Sequence, residues 1–108
     1  MCIYLREMEL GGNVRFEWDP RKASIILAKH GVAFEVGELV WDDPLHLIVL
    51  DRIESGEERW HAIGLVRGVV VLTVIHTYRE ESGLDVVRII GTRRATRTEG
   101  KRYEAQND

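Results

Sequence analysis

Residues 69–78 read VVVLTVIHTY, and this stretch decides the fold. Its first seven residues are all apolar or β-branched, and they lack the spacing of an amphipathic helix. A short run that is apolar on both faces is typical of a strand buried inside a sheet. We therefore predict that residues 69–78 form the central strand of the protein.

Turn residues on both sides of this stretch predict an antiparallel sheet. Glycine-containing pairs and short polar runs separate the apolar segments at the spacing of β-hairpins. The further predicted strands of this group are residues 45–50, 59–66 and 85–92. The predicted connections are a polar loop at 53–58 with its turn at Ser55-Gly56, a tight turn at Arg67-Gly68, and a turn at 80–83.

Helix start and stop signals predict two helices before this group of strands and one after it. Asp19-Pro20 is typical of a helix start, and Gly31 is typical of a helix end. Thr96 followed by Glu99 forms a capping box, which marks the start of the last helix. The three predicted helices are residues 20–30, 34–40 and 96–105.

The order of elements predicts one small α+β domain. A chain of 108 residues is one domain by size. With a first strand at residues 16–18, we expect a small antiparallel sheet with two N-terminal helices and a C-terminal helix. Residues 16–105 are predicted to form this domain. Residues 1–15, which contain the break Gly11-Gly12-Asn13, are interpreted as an N-terminal extension or a wrongly assigned start.

Composition and charge distribution narrow the class of protein. The formal net charge is −3, which counts against a simple nucleic-acid binder. Acids dominate residues 51–58, however, and bases dominate residues 88–102, which predicts one acidic and one basic face. The single cysteine, the absence of a long apolar run and the absence of a signal peptide predict a soluble, cytoplasmic protein with no membrane partner.

Metal and cofactor sites are not predicted. The histidines stand at positions 30, 46, 61 and 76, so no two have the spacing of a preorganised metal site. Neither a glycine-rich phosphate loop nor a nucleophile elbow is present. The sequence therefore lacks the commonest signatures of nucleotide-dependent enzymes and of serine hydrolases.

Two groups of basic residues keep both a structural and a chemical interpretation. Lys29 and His30 precede Gly31, where a cation in the last helical turn stabilises the helix dipole. Arg93 and Arg94 stand where the last strand gives way to a helix, so the pair is placed to hold a phosphate. A charged sheet edge that discourages aggregation is the alternative interpretation of the two arginines.

Seven short motifs, in order, resemble the BrnT-type toxins over about residues 16–104. The similarity is carried by Phe16-Glu17-Trp18-Asp19 with Lys22, Lys29-His30-Gly31-Val32 with Phe34, Asp42-Asp43-Pro44, Glu57-Glu58-Arg59-Trp60 with Ile63-Gly64, Thr77 with Arg79, Arg88-Ile89-Ile90, and Arg93-Arg94-Ala95-Thr96-Arg97 with Glu99 and Tyr103. This sequence departs from the family in having Ala33 and Gly91-Thr92, where serine and serine-alanine are usual.

The resemblance implies a RelE-like ribonuclease fold and the toxin half of a type II toxin–antitoxin pair. The implied activity is endonucleolytic cleavage of RNA, which inhibits translation and growth, and the implied partner is a BrnA-like DNA-binding antitoxin. Heterotetramers with the antitoxin are compatible with this family. A homodimer through residues 45–50 is a further expectation if that strand is an exposed edge.

A metal-independent ribonuclease must position the 2′-hydroxyl, stabilise charge on the phosphoryl oxygens and move two protons. The catalytic candidates are Arg79, Arg93 and Arg94 for charge and His30 for proton transfer. The candidates for binding RNA are Lys22, Lys29, Arg88 and Arg97. Glu58 is a candidate general base. The alternative function is a catalytically inactive toxin fold that binds an antitoxin or RNA, and Gly91-Thr92 favours that alternative.

Overall fold

The computed structural model describes residues 6–8 and 14–106, which form one mixed sheet with helices on both faces. The strands are β1 (Arg6–Met8), β2 (Val14–Glu17), β3 (Leu47–Glu54), β4 (Glu57–Val66), β5 (Val70–Glu81) and β6 (Leu84–Arg94). The helices are α1 (Pro20–His30), α2 (Phe34–Gly37) with a 3₁₀ turn (Glu38–Asp42), and α3 (Arg97–Ala105).

The predicted central strand is confirmed, because β5 lies between β4 and β6 in the order β1-β2-β6-β5-β4-β3. The expectation of a purely antiparallel sheet is wrong at one position. Strand β2 pairs with β6 in parallel, with Phe16 opposite Val87. Neither strand is joined to the other by a hairpin, so no local turn signal reports their relative direction.

The N-terminal part of the chain adds to the sheet. Strand β1 pairs antiparallel with β2, and β2 begins at Val14, two residues before the predicted first strand. Parts of the predicted extension, residues 6–8 and 14–15, therefore lie within the sheet. The predicted break at Gly11-Gly12-Asn13 lies outside the described residues.

Three tight turns connect β3 through β6, two of them with two residues and the β4–β5 turn with three, residues 67–69. In each, a non-glycine residue with positive φ precedes a glycine: Ser55-Gly56, Arg67-Gly68 and Ser82-Gly83. Positive φ at both positions is what type I′ hairpins require, and glycine adopts it without steric cost. The predicted polar loop at 53–58 is wrong in extent, because this tight turn lets β3 continue to Glu54 and β4 begin at Glu57. The turn predicted at 80–83 likewise shortens to Ser82-Gly83.

The main core lies on one face of the sheet, under α2 and the 3₁₀ turn. Phe16 and Trp41 meet edge to face with centroids 5.0 Å apart, and Trp18 meets Phe34 at 5.7 Å. Gly37 approaches β6 so closely that an added Cβ would lie 2.5 Å from Thr92 Cγ2. The predicted helix at 34–40 is therefore one α-helical turn followed by a 3₁₀ turn, packed tightly against the sheet.

The predicted helix caps are confirmed. Asp19 Oδ1 accepts a hydrogen bond from the backbone N–H of Arg21 at 2.9 Å, and Gly31 ends α1 with φ 73°. Thr96 and Glu99 form the reciprocal capping box of α3. Over the described residues, no helix is long and apolar enough to cross a membrane.

Candidate functional site

The face of the sheet opposite the main core carries three of the predicted functional cations, Arg79, Arg88 and Arg93. Glu17, only 8% exposed, accepts two hydrogen bonds from Arg79 at 3.0 and 3.1 Å and one from Arg88 at 3.2 Å. Arg79 Nε also donates to Glu81 at 2.7 Å. All three nitrogens of the Arg79 guanidinium therefore have carboxylate acceptors, and these raise its pKa.

A second network joins this face to α3. Arg93 donates two hydrogen bonds to Glu99, at 2.7 and 3.0 Å, and the Thr73 hydroxyl donates a third at 2.8 Å. His61 Nδ1 lies 3.4 Å from Glu99 Oε2. Burial raises the pKa of Glu99, but the Arg93 guanidinium, the Thr96 N–H and the Thr73 hydroxyl outweigh burial and lower it to about 2. Glu99 is therefore ionised at neutral pH and holds α3 to the sheet.

The prediction that Arg93 and Arg94 hold one phosphate together is contradicted by their placement. Strand β6 continues to Arg94, so the two side chains alternate and point to opposite faces of the sheet. Arg93 is paired with Glu99, whereas Arg94 lines a shallow depression beside His30 and Val70. The helix start that was expected to contribute is occupied by its own Thr96 cap.

The other predicted cations are spread over the surface. His30 and Lys29 are exposed in the last turn of α1, and Arg97 is exposed at the start of α3. Lys22 is exposed in the first turns of α1. Eight residues of helix separate Lys22 from His30, which is about 12 Å along the axis. Arg79 and Arg93 lie on one face of the sheet, whereas Arg94 lies beside His30 on the other, so the structure does not bring the four predicted catalytic residues into one site.

A polar cleft of about 210 Å³ opens where α1 crosses beside β6. It is lined by Asp19, Lys22, Glu57, Arg59, Thr77, Arg88, Ile89 and Ile90. The Nε atom of Arg59 is buried and has no hydrogen-bond acceptor within the described part of the chain. This polar cleft combines three cations with two carboxylates, which supplies the groups that phosphodiester chemistry requires.

Arg59 and Glu57 were not among the predicted site residues. Both belong to the motif Glu57-Glu58-Arg59-Trp60, and alternation along β4 was the signal that separates its members. Glu57 and Arg59 share the cleft-facing side, whereas Glu58 and Trp60 share the other side. The predicted general base, Glu58, therefore points away from the polar cleft.

No group of three or more histidine, cysteine, aspartate or glutamate side chains within residues 14–106 is placed to hold a metal ion. The polar cleft itself contains Asp19 and Glu57 but no histidine. Its three cations can bind an anion, and its two carboxylates can accept a proton.

Comparison with known proteins decides the family. Residues 18–99 match the family described as the ribonuclease toxin, BrnT, of type II toxin–antitoxin systems. The chain belongs to the BrnT family. The BrnT resemblance, the ribonuclease activity and the toxin function predicted from the sequence are thereby confirmed. Because the system is of type II, an antitoxin partner is also implied.

Among solved structures, this BrnT family member is similar to the crystal structure of the ribonuclease toxin BrnT from Brucella abortus. The TM-score is 0.55 at 23% sequence identity, over 74% of this chain and 94% of that chain. The α+β fold is therefore confirmed, and the RelE-like label stays a prediction. No curated protein matches the sequence.

The departure of this BrnT family member at Gly91-Thr92 has a packing role. Thr92 is buried, and its hydroxyl donates a 2.7 Å hydrogen bond to the carbonyl oxygen of Val32. Gly91 is also buried, with Ile75 as the neighbour that an added Cβ would meet. Neither residue lines the polar cleft. The feature that favoured an inactive toxin fold therefore concerns the core.

Proposed function

We propose that this toxin cleaves RNA in the polar cleft, without a metal ion. The proposal is based on the environment of the Arg59 side chain. Its guanidinium enters the polar cleft with Nε buried and without an acceptor in residues 14–106, beside Lys22 and Arg88. A buried, unpaired donor of this kind is costly unless an anion completes it, and a phosphoryl oxygen is such an anion.

The proposed reaction is an internal transesterification. The 2′-oxygen of RNA forms a bond to the adjacent phosphorus while the bond to the 5′-oxygen breaks. Glu57 accepts the proton of the 2′-hydroxyl, and the ammonium of Lys22 gives a proton to the leaving 5′-oxygen. Arg59 and Arg88 stabilise the negative charge on the two non-bridging oxygens.

In this proposal, the residues that the sequence predicted to be catalytic act outside the reacting centre. Arg79 and Arg93 are positioning residues, because their guanidinium nitrogens are held by Glu17 and Glu99. Arg79 acts by fixing Glu17, which in turn orients Arg88. The exposed cations away from the polar cleft contact flanking phosphates of the RNA strand: His30, Lys29, Arg94 and Arg97.

The proposed setting is that of a type II pair in the cytoplasm. A BrnA-like antitoxin that binds DNA is the proposed partner, and RNA is the proposed substrate. Strand β3 is an edge of the sheet, so it offers unpaired backbone groups for a second chain. A heterotetramer with the antitoxin is the assembly we propose, and a free homodimer through β3 is the alternative.

The experiment is cleavage of a defined single-stranded RNA by purified protein in the presence of EDTA. Arg59→Ala and Glu57→Gln are each expected to lower the cleavage rate by about 100-fold. Glu58→Gln is the matched control on the opposite face, and it should cleave like the wild type. If Arg59→Ala retains full activity, cleavage does not take place in the polar cleft. The metal-independent mechanism is overturned if EDTA abolishes cleavage by the wild type.

A further inference from the structure

A second concave surface lies on the core-bearing face of the sheet, beside the 3₁₀ turn that carries Trp41. It is an apolar cleft of about 380 Å³. It is lined by Val14, Trp41, Ile48, Trp60, His76, Tyr78, Asp85 and Val87. The polar cleft is on the other side of the sheet, because the residues of β4 and β5 that line the two clefts alternate.

The apolar surface extends from this cleft along the edge strand β3. Ile48, Leu50 and Ile53 are between 44% and 65% exposed, and the register sets Leu50 opposite Trp60 and Ile53 opposite Glu58. Tyr78 adds an aromatic ring that is 53% exposed. Exposed aliphatic side chains beside two tryptophans and a tyrosine have the composition of the centre of a protein interface.

The floor of the apolar cleft carries no cation. His76 is buried, its Nδ1 contacts the carbonyl oxygen of Val74 at 3.1 Å, and its ring meets Trp41 edge to face. Burial lowers the pKa of His76 to about 4, so the ring is neutral at physiological pH. The cleft therefore offers an uncharged surface to an occupant.

Within β3 to β6, the charged groups around the apolar cleft are acids. Asp85 lies in its lining and accepts a hydrogen bond from the Tyr78 hydroxyl at 2.8 Å. Glu80 is paired with Asp85 in the β5–β6 register, and Glu58 shares the side of β4 that carries Trp60. Along β3 to β6, the residues on this side at this end of the sheet include these three carboxylates and no lysine or arginine.

This charge pattern discriminates between occupants. RNA would be repelled by the three carboxylates. In a symmetric homodimer the same patch would face itself, which would bring the acids of one copy to those of the other. A basic amphipathic segment complements both the apolar floor and the acidic rim.

We infer that the apolar cleft, together with the exposed side chains of β3, is the docking surface for a basic amphipathic segment of the antitoxin. A large apolar side chain of that segment fills the space between Ile48 and Tyr78, and its lysines or arginines meet Glu58, Glu80 and Asp85. The inference relies on the family's antitoxin partnership. It does not rely on the location of the cleavage site, because the two clefts are on opposite faces.

The test is the affinity of the toxin for its antitoxin, each purified separately and then titrated in a calorimeter. Ile48→Lys is expected to weaken binding at least tenfold, because it removes an apolar contact and adds a repelling charge. Ile25→Lys is the matched control: Ile25 is an isoleucine on α1 that is 64% exposed, against 44% for Ile48, and this variant should bind like the wild type. Binding should also weaken as salt rises, since the acidic rim contributes to it.

The binding and cleavage assays test the docking inference and the proposed cleavage site independently. RNA cleavage by free Ile48→Lys should equal that of the wild type, because this side chain lies outside the polar cleft. Wild-type affinity of Ile48→Lys for the antitoxin overturns the docking inference, whatever the cleavage assays show. A toxin dimer that Ile48→Lys dissociates without loss of antitoxin affinity also overturns it. Failure of the Arg59 and Glu57 variants to lose activity would count only against the cleavage site.

Discussion

Arg79 holds Glu17 through two parallel hydrogen bonds of 3.0 and 3.1 Å, across a sequence separation of 62 residues. The contact ties β5 to the end of β2, and the Glu17 side chain is 10% exposed while that of Arg79 is 44% exposed. The carboxylate is therefore the buried partner, and the arginine neutralises it. Because Glu17 and Glu81 hold the guanidinium, we propose that Arg79 positions Glu17 and does not touch the substrate.

Arg79→Ala should destabilise the fold. Glu17 would lose two parallel hydrogen bonds and keep its ion pair with Arg88, and we expect a loss of about 1–2 kcal/mol in the free energy of unfolding. Urea denaturation at pH 7 measures this loss. Arg52→Ala removes an exposed arginine paired with its neighbour Asp51, and it should leave the midpoint unchanged. Equal stability of Arg79→Ala and the wild type would show that the pair is not structural.

Arg93→Ala and Arg94→Ala should have different effects although the residues are adjacent. Arg93→Ala leaves Glu99 without its guanidinium partner, so the melting temperature should fall by several degrees. Arg94 makes no ion pair with residues 14–106, so Arg94→Ala should keep its melting temperature and bind RNA several-fold more weakly. Calorimetric melts and RNA filter binding distinguish the two. Matching losses of stability would contradict the opposite orientation of the side chains.

Stability should fall in acid because of Glu99. Its pKa is about 2 in the folded chain, and that of an unperturbed glutamate is 4.5. A lowered folded-state pKa contributes stability above pH 4.5 that is lost as the pH falls towards 2. After allowance for solvent screening, we expect this contribution to be about 2 kcal/mol.

The measurement is the difference in unfolding free energy between the wild type and Glu99→Gln, followed by urea denaturation from pH 7 to pH 2. This difference should shrink below pH 4.5. Glu104→Gln changes an exposed acid of the same helix and should give a constant difference. A wild-type advantage that persists unchanged down to pH 2 would contradict the assigned role of Glu99.

Tyr103→Phe should loosen α3 from the rest of the domain. The buried Tyr103 hydroxyl donates to Asp43 Oδ2, which also accepts from the Leu65 N–H at 2.8 Å. Phenylalanine keeps the ring and removes the donor, so a loss of about 1–2 kcal/mol is expected from urea denaturation at pH 7. Tyr78→Phe changes an exposed tyrosine and should leave the midpoint unchanged.

The ionisation of Tyr103 should also make the folding stability depend on pH in alkali. Burial and the Asp43 carboxylate raise the pKa of Tyr103 to about 12, from the usual 10. The raised pKa contributes stability that is complete below pH 10 and is lost as the pH rises towards 12. The stability difference between the wild type and Tyr103→Phe should therefore narrow over this range. A difference that grows with pH would overturn this assignment.

Two glycines should respond oppositely to alanine. In Gly37→Ala the new methyl group would lie 2.5 Å from Thr92 Cγ2, and we expect a loss of about 1–3 kcal/mol. In Gly100→Ala nothing lies within 4 Å, and alanine in the interior of α3 should stabilise by about 0.5–1 kcal/mol. Thermal melts of both variants measure the contrast. A neutral Gly37→Ala would contradict the close packing of α2 on β6.

Local patterns in the sequence were sufficient for most of the elements and for the family. The caps at Asp19, Gly31 and Thr96, and the X-Gly turns between strands, depend on contacts a few residues apart, so residue type reveals them. The run of apolar residues in β5 likewise indicates that this strand is buried.

Only the tertiary structure decided which charges meet and which side chains share a site. Glu17 meets Arg79 and Arg88 across 62 and 71 residues, and the parallel pairing of β2 with β6 is equally remote in sequence. Continuation of β6 to Arg94 separated two arginines that are adjacent in sequence. Long-range pairing is set by the packing of the whole chain, so the polar cleft around Arg59 could not be found from spacing alone.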